Sequence, residues 1–216
     1  MDSQKNADVG LGMAQEFAVL DRSHFVLVAL KAIIGNASRS SCVRTTVNPS
    51  VFIETISTGS VSGDAIIYLD TCNYSVLFII HYIIQFKVRR RIIVMLEDEH
   101  APTLQLMRCM GVRFIVSRRD KICHLQHILC NSTLTSYVTG KHSVTHQGYS
   151  DKGFSCGRGL FTPSEGIILI ELLNGLSPVR VAKKYSISVK TVSVHKCNAL
   201  KKMGFKNMNV FLCGSC

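Results

Sequence analysis

The 216-residue sequence predicts an α/β domain with a central parallel sheet, followed by an all-α domain built around a helix-turn-helix. Two observations carry this. Over 1–130, short apolar runs alternate with amphipathic stretches, the rhythm of strand and helix in turn. After Leu160 the pattern changes to segments of period 3.6 with explicit caps and no strand signal. Between them, 131–159 is rich in Ser, Thr, Gly, His and Lys without periodicity, which predicts an exposed connector. The expected division is therefore a first domain at 1–130, a linker at 131–159 and a second domain at 160–216.

In the first half, strand and helix signals alternate at 17–20, 26–34, 64–69, 74–86 and 92–96. They continue with a helix at 102–110, a strand at 114–116 and a helix at 122–129. Within the weakly patterned 36–63, a second strand is placed near 51–56. The stretch 76–86, apolar on several sides, reads as a core helix or as a dimerisation face. Core is favoured, because exposed apolar patches of that size are uncommon.

Twenty-five Lys and Arg against 14 Asp and Glu give a net charge of +11, which favours a polyanionic partner, either nucleic acid or an anionic membrane surface. The run 76–86 is broken by His81 and Gln85 and falls short of the roughly 20 residues that cross a bilayer. The polar start, followed by Glu16 and Asp21, argues against an export segment, so a cytoplasmic protein without membrane contact is expected. The nine cysteines are scattered, a distribution that predicts free thiols acting mostly as small apolar filler.

In the second half, Thr162-Pro163-Ser164-Glu165 carries a capping box with proline in the first turn. The helix it opens presents Ile167, Ile168, Leu169, Leu172 and Leu173 as one apolar face and stops at Asn174-Gly175. Ser177-Pro178 repeats the signature for a short helix with Val181, Ala182 and Tyr185 inward, and small Ala182 permits a steep crossing. After a turn at 185–188, Ser188 caps a third helix over 189–203, ended by Gly204. Its core side is Val192, Ala199, Leu200 and Met203. Lys190, Thr191, Ser193, Val194, His195 and Lys196, with Cys197 beside them, lie toward the outside of the first turns, as a helix entering the major groove requires. From Asp151 onward there are ten Lys and Arg against three Asp and Glu, so the positive excess is concentrated here.

These residues closely resemble the LuxR/FixJ-type helix-turn-helix family, from Leu160 to about Asn207 without a gap. The resemblance runs through Thr162-Pro163-Ser164-Glu165, Leu176-Ser177, Val181-Ala182, 187–195 and Lys202-Met203-Gly204-Phe205. It implies sequence-specific binding of double-stranded DNA, with Lys190, Thr191, Ser193, Val194, His195 and Lys196 as candidate groove contacts. The sequence departs from the family at Ser164, where Arg is frequent, and at Ile167, where Glu is frequent, so an ion pair is expected to be missing. The short ending after Asn207 leaves little for a fourth, dimerising helix.

The first half is similar to a response-regulator receiver domain whose chemistry has degenerated. Aspartyl phosphorylation needs a pair of acids for Mg²⁺, an acceptor Asp, a hydroxyl and a Lys. By strand order the acid pair becomes Asp21-Arg22, the acceptor Asp70, the hydroxyl position Glu97 or its neighbour, and the Lys position Arg118. A cation replaces one acid and an anion replaces the hydroxyl, which opposes that chemistry. An Arg22–Asp70 ion pair could imitate a switched state, or be an ordinary loop salt bridge. Among family members the combination looks most like auxiliary regulators of the capsule-synthesis (Rcs) phosphorelay. That implies action as a homodimer or a heterodimer with another LuxR-type regulator.

Other constellations read more plainly. Cys123, His127 and Cys130 share a helical face suited to Zn²⁺, but they also fit an amphipathic helix with cysteine as filler. Cys213-x-x-Cys216 reads as a frayed tail, His142 and His146 as connector residues, and Arg89-Arg90-Arg91 as a solvated loop. With no phosphate-binding loop, His-Glu metal motif or nucleophile elbow, no enzyme, catalytic residue, metal or cofactor is expected. The predicted function is a nucleoid-associated, sequence-specific transcriptional regulator independent of aspartyl phosphorylation. Its rivals are an interaction protein that sequesters another regulator and a Cys/His metal or redox sensor.

Overall fold

The computed structural model describes residues 16–37, 42–57, 64–69, 74–85, 91–97, 100–131, 134–139, 145–146 and 159–213. Its elements run β1 (Glu16–Leu20), α1 (His24–Ala37), β2 (Cys42–Thr46), α2 (Pro49–Ser57), β3 (Ala65–Leu69), α3 (Val76–Gln85), β4 (Ile92–Leu96) and α4 (Ala101–Met110). They continue with β5 (Phe114–Ser117), α5 (Ile122–Cys130), β6 (Leu134–Val138), β7 (Thr145–His146), α6 (Pro163–Leu173), α7 (Pro178–Lys184), α8 (Val189–Met203) and α9 (Met208–Cys213).

The sheet order is β2-β1-β3-β4-β5-β6-β7. Every pairing from β2 to β6 is parallel, and β7 closes antiparallel on β6. The strands alternate between two buried faces, as the period of two requires. Phe17, Val19, Ile66, Ile93, Met95, Phe114 and Val116 point to the α1 and α5 side. Ala18, Leu20, Ile67, Leu69, Val94, Leu96 and Ile115 point to the side of α2, α3 and α4.

Two expectations fail here. Residues 51–56 are helical, because Asn48 caps the segment by accepting the Ser50 N–H at 2.9 Å and Pro49 suits the first turn. Phe52 and Ile56, one turn apart, then bury together. The second strand is instead β2, at the sheet edge, where Cys42, Arg44 and Thr45 are exposed and leave no apolar alternation. The span expected as linker also opens with a sixth strand, whose Ser136 is as buried as Leu134 and Val138.

α3 is apolar on several sides because it is covered twice. Its inner face lies on the sheet and its outer face meets α6, so one core runs from Ile80 and Ile83 to Phe161, Leu169, Ile170, Leu200 and Phe211. Across this seam the Phe161 N–H donates to the Cys109 carbonyl at 2.8 Å, and the Asn174 amide donates to the Tyr74 carbonyl at 3.3 Å. Gly166 is required where α6 crosses α3: a Cβ there would lie 2.6 Å from Cε1 of His81.

Arg91, expected in a solvated loop, has a structural role. It holds both oxygens of buried Asp64 at 2.8 and 2.7 Å and donates to the Asn131 carbonyl, tying β3 and β4 to the end of α5. Burial pushes the Asp64 carboxyl up even so, and Arg91 only partly draws it back. The cysteines divide: Cys42, Cys123, Cys130, Cys197 and Cys213 are free thiols, as expected, but are exposed and fill no core, whereas Cys109 is buried in the core, as expected of apolar filler, yet is disulfide-bonded rather than free. Cys213 closes α9, whose Phe211 is buried against Phe205, so the chain does form a short fourth helix in this region. His142 and Cys216 lie outside the described residues, as do Arg89 and Arg90.

Candidate nucleic-acid interface

Three local caps set the frame. The Thr162 hydroxyl accepts the Glu165 N–H at 3.3 Å while the Glu165 carboxylate accepts the Thr162 N–H at 2.8 Å, completing the predicted capping box. Ser177 caps α7 through the Arg180 N–H, and Ser188 caps α8 through the Thr191 N–H at 3.0 Å. The turn between α7 and α8 passes through Ser186 at φ 54°, a left-handed conformation. Ile168, Val181, Ala182 and Val192 form a small core of their own and fix the angle of α8.

With Val192, Ala199, Leu200 and Met203 buried, the helical period turns Lys190, Val194, Cys197, Asn198 and Lys201 outward, and all five are exposed. Val194 is 49% exposed, an apolar group free to meet a base methyl. Of the six predicted contact residues, Lys190 and Val194 stand on this stripe. Thr191, Ser193, His195 and Lys196 are half-buried along its flanks. The Thr191 hydroxyl is drawn back onto the Ser188 hydroxyl at 2.8 Å. Asn198 and Lys201 escaped the sequence reading, although the spacing 190, 194, 198, 201 was there to find them.

The cations of this domain divide into two groups. Lys184 reaches buried Glu171 at 2.6 Å, where the Tyr185 hydroxyl also donates, and Lys202 reaches buried Glu165 at 2.6 Å. Burial pushes the Glu165 carboxyl up, but Lys202 and the Thr162 N–H together hold it below its ordinary range. Burial, then Glu171, holds the Tyr185 phenol well above its own. Although Ser164 and Ile167 offer no pair between them, two other buried ion pairs thus serve the domain. Among the described residues, Arg180, Lys183, Lys190, Lys196, Lys201 and Lys206 form no ion pair.

Of the residues aligned by strand order in the sequence, Asp21, Glu97 and Arg118 converge at the ends of the parallel strands. Arg118, after β5, donates to Asp21, after β1, at 2.6 Å and to Glu97, after β4, at 3.3 Å. Its guanidinium lies 3.6 Å from the ring centre of Tyr68, whose hydroxyl donates to Glu97 at 2.8 Å. Asp21 is 2% exposed and also accepts the Ser23 N–H. Arg22 is exposed, and Asp70 lies outside the described residues. Arg118 thus engages Asp21, the one acid of the expected Mg²⁺ pair that the sequence retains.

Residues 160–213 match the family model "Bacterial regulatory proteins, luxR family". No curated protein sequence matches the chain. Among solved structures it is similar to the two-component response regulator RcsB in a complex with DNA, at 18% identity and TM-score 0.54, covering 93% of this chain and 97% of that one. It is also similar to RcsB from Salmonella enterica serovar Typhimurium bound to promoter rprA in the presence of phosphomimetic BeF3⁻, at 18% identity, TM-score 0.57 and the same coverage. Residues 160–213 are thus a LuxR-type helix-turn-helix domain, carried behind a response-regulator-like α/β domain in the two-domain fold of RcsB.

Proposed function

We propose that this chain is a transcriptional regulator that reads double-stranded DNA with the exposed stripe of α8. The observation that carries the reading is the coincidence, on one capped helix, of an outward face of Lys190, Val194, Asn198 and Lys201 with cations that have no acid to satisfy. Unpaired lysines meet phosphates and set position, while the short, partly apolar side chains between them meet base edges. Thr191, Ser193, His195 and Lys196 border the groove from the flanks. The division of labour follows the proposed domains, with 160–216 binding DNA and 1–130 controlling assembly. Such a protein works in the cytoplasm, on the nucleoid.

The regulator acts without aspartyl phosphorylation. Arg118 supplies a fixed positive charge to Asp21 and Glu97, so the strand ends hold one arrangement rather than two. It pairs with a second copy or with another LuxR-type regulator. In support, α1 and α5 lie side by side and begin with Phe25, 87% exposed, Val28 and Ile122, an uncovered apolar surface.

Fluorescence anisotropy on genomic promoter fragments, at several salt concentrations, with and without other LuxR-type regulators and with and without beryllofluoride, tests the whole reading. Selective binding, alone or only in a mixture, is expected, unchanged by beryllofluoride. Binding that depends on salt but not on sequence in every mixture would refute the specific reader. A tenfold response to beryllofluoride would refute phosphorylation independence.

A further inference from the structure

Where α2, α3 and α6 meet, the seam between the two domains frames a solvent-open cavity of about 620 Å³, within the size range of small-molecule sites. Ile53 of α2, Phe78 of α3 and Ile167 of α6 form apolar walls, and Gln85 and Ser164 supply amide and hydroxyl groups. In a chain of net charge +11, none of the lining residues carries a formal charge.

The polar group that sets this cavity apart is His81. It is 9% exposed, lines the cavity, and has no hydrogen-bond partner among the described residues. Its ring rests on the Gly166 backbone, where no larger residue fits. Its ring nitrogens are not among the sealed, unpartnered polar atoms and so stay open to an occupant, and burial of the ring favours its neutral form, with one donor and one acceptor nitrogen.

From this geometry we infer that the α2–α3–α6 cavity is a binding site for an uncharged, mostly apolar small molecule with one polar group that hydrogen-bonds to His81. A charged ligand would leave water for walls that offer no counter-charge. Because the walls belong to both domains, the occupant bridges them and holds α6 on α3. This site is separate from the strand-end acids and from the outward stripe of α8, so it stands or falls independently of the DNA reading.

The test is a fluorescence titration of the full chain with Nile red, a neutral apolar dye with a carbonyl acceptor. Saturable binding of one dye per chain is expected, at least tenfold tighter than for the anionic dye 8-anilinonaphthalene-1-sulfonate. Ile167→Trp fills the cavity from its wall and should weaken dye binding at least tenfold. Ser164→Trp, at an exposed position, should do the same without touching the core, so a folding defect in the first variant leaves the test intact. His81→Leu should weaken binding at least threefold while the walls stay apolar. Unsaturable binding, equal affinity for the anionic dye, or indifference to both tryptophans in folded protein would overturn the site. So would sedimentation showing that the cavity is filled by a second copy, with a dimer that both tryptophans abolish.

Discussion

The strand ends of the α/β domain and the outer face of α8 both present cations, and they use them in opposite ways. At the strand ends, Arg118 has both nitrogens of its fork committed to Asp21 and Glu97, with its flat face on Tyr68. On α8, Lys190 and Lys201 face solvent with no acid in reach. The lesson is that a cation's role follows from whether a buried carboxylate lies beside it. Lys184 and Lys202 belong with Arg118 in this respect, although they sit in the same domain as Lys190.

The largest effect should come from reversing the character of the α8 face. Val194→Glu places a carboxylate in the middle of the stripe, where it repels phosphates and removes the apolar contact. Because Val194 is exposed, folding should survive. We expect affinity for the preferred fragment to fall at least 100-fold by anisotropy, with the thermal midpoint unchanged. Retained affinity would move the reading face elsewhere and end the comparison with the strand ends.

Next in size is the reciprocal change. Arg118→Ala leaves the Asp21 carboxylate buried without its cation, and breaking such a pair costs about 3 kcal/mol. Chemical denaturation of this variant should show that loss, whereas Lys190→Ala should change stability by less than about 0.5 kcal/mol. The binding results should be inverted. Lys190→Ala should weaken all DNA sequences alike and lower the salt slope by about one, and Arg118→Ala should leave the slope untouched. If Lys190→Ala proved the destabilising variant, the division into committed and free cations would be wrong.

The two regions also differ in how far they can be read from sequence. The caps of α6, α7 and α8 are contacts between residues three apart, Thr162 with Glu165, Ser177 with Arg180 and Ser188 with Thr191, so local chemistry exposes them. The alternation of 17–20, 64–69 and 92–96 was legible for the same reason. By contrast, Asp21 and Arg118 stand 97 residues apart and meet only because β1 and β5 end on the same edge of the sheet. Strand order in the sequence put both at the expected receiver site, but the only ion pair weighed there was Arg22 with Asp70, not Arg118 with Asp21. β2 hid because an edge strand lacks apolar alternation. β6 hid because Ser136 and Thr139, buried as they are, look like connector residues. The seam at α3 had an ambiguous sign: an over-apolar helix reads as core or as a dimerisation face, and α3 is core on two sides, against the sheet and against α6.

The smallest predicted effect concerns that seam and sharpens the comparison by adding a titrating group to it. Burial lowers the His81 pKa below its ordinary 6.5, so as pH falls the unfolded chain takes up the proton first. The stability His81 contributes is therefore complete above pH 6.5 and is lost as pH falls through its lower folded value. Glu165 is also held below its ordinary 4.5, by Lys202 and Thr162 against the effect of burial, so its contribution persists until more acidic pH. Between pH 7.5 and 5.5, wild-type protein should lose at most about 4 °C in thermal midpoint, the shift that roughly 1 kcal/mol produces in a chain of this size. His81→Gln should reduce that loss, and Lys202→Met should leave it in place while destabilising the protein at every pH in this window. A pH response unchanged by His81→Gln would mean that the α3–α6 contact does not feel the charge on its imidazole.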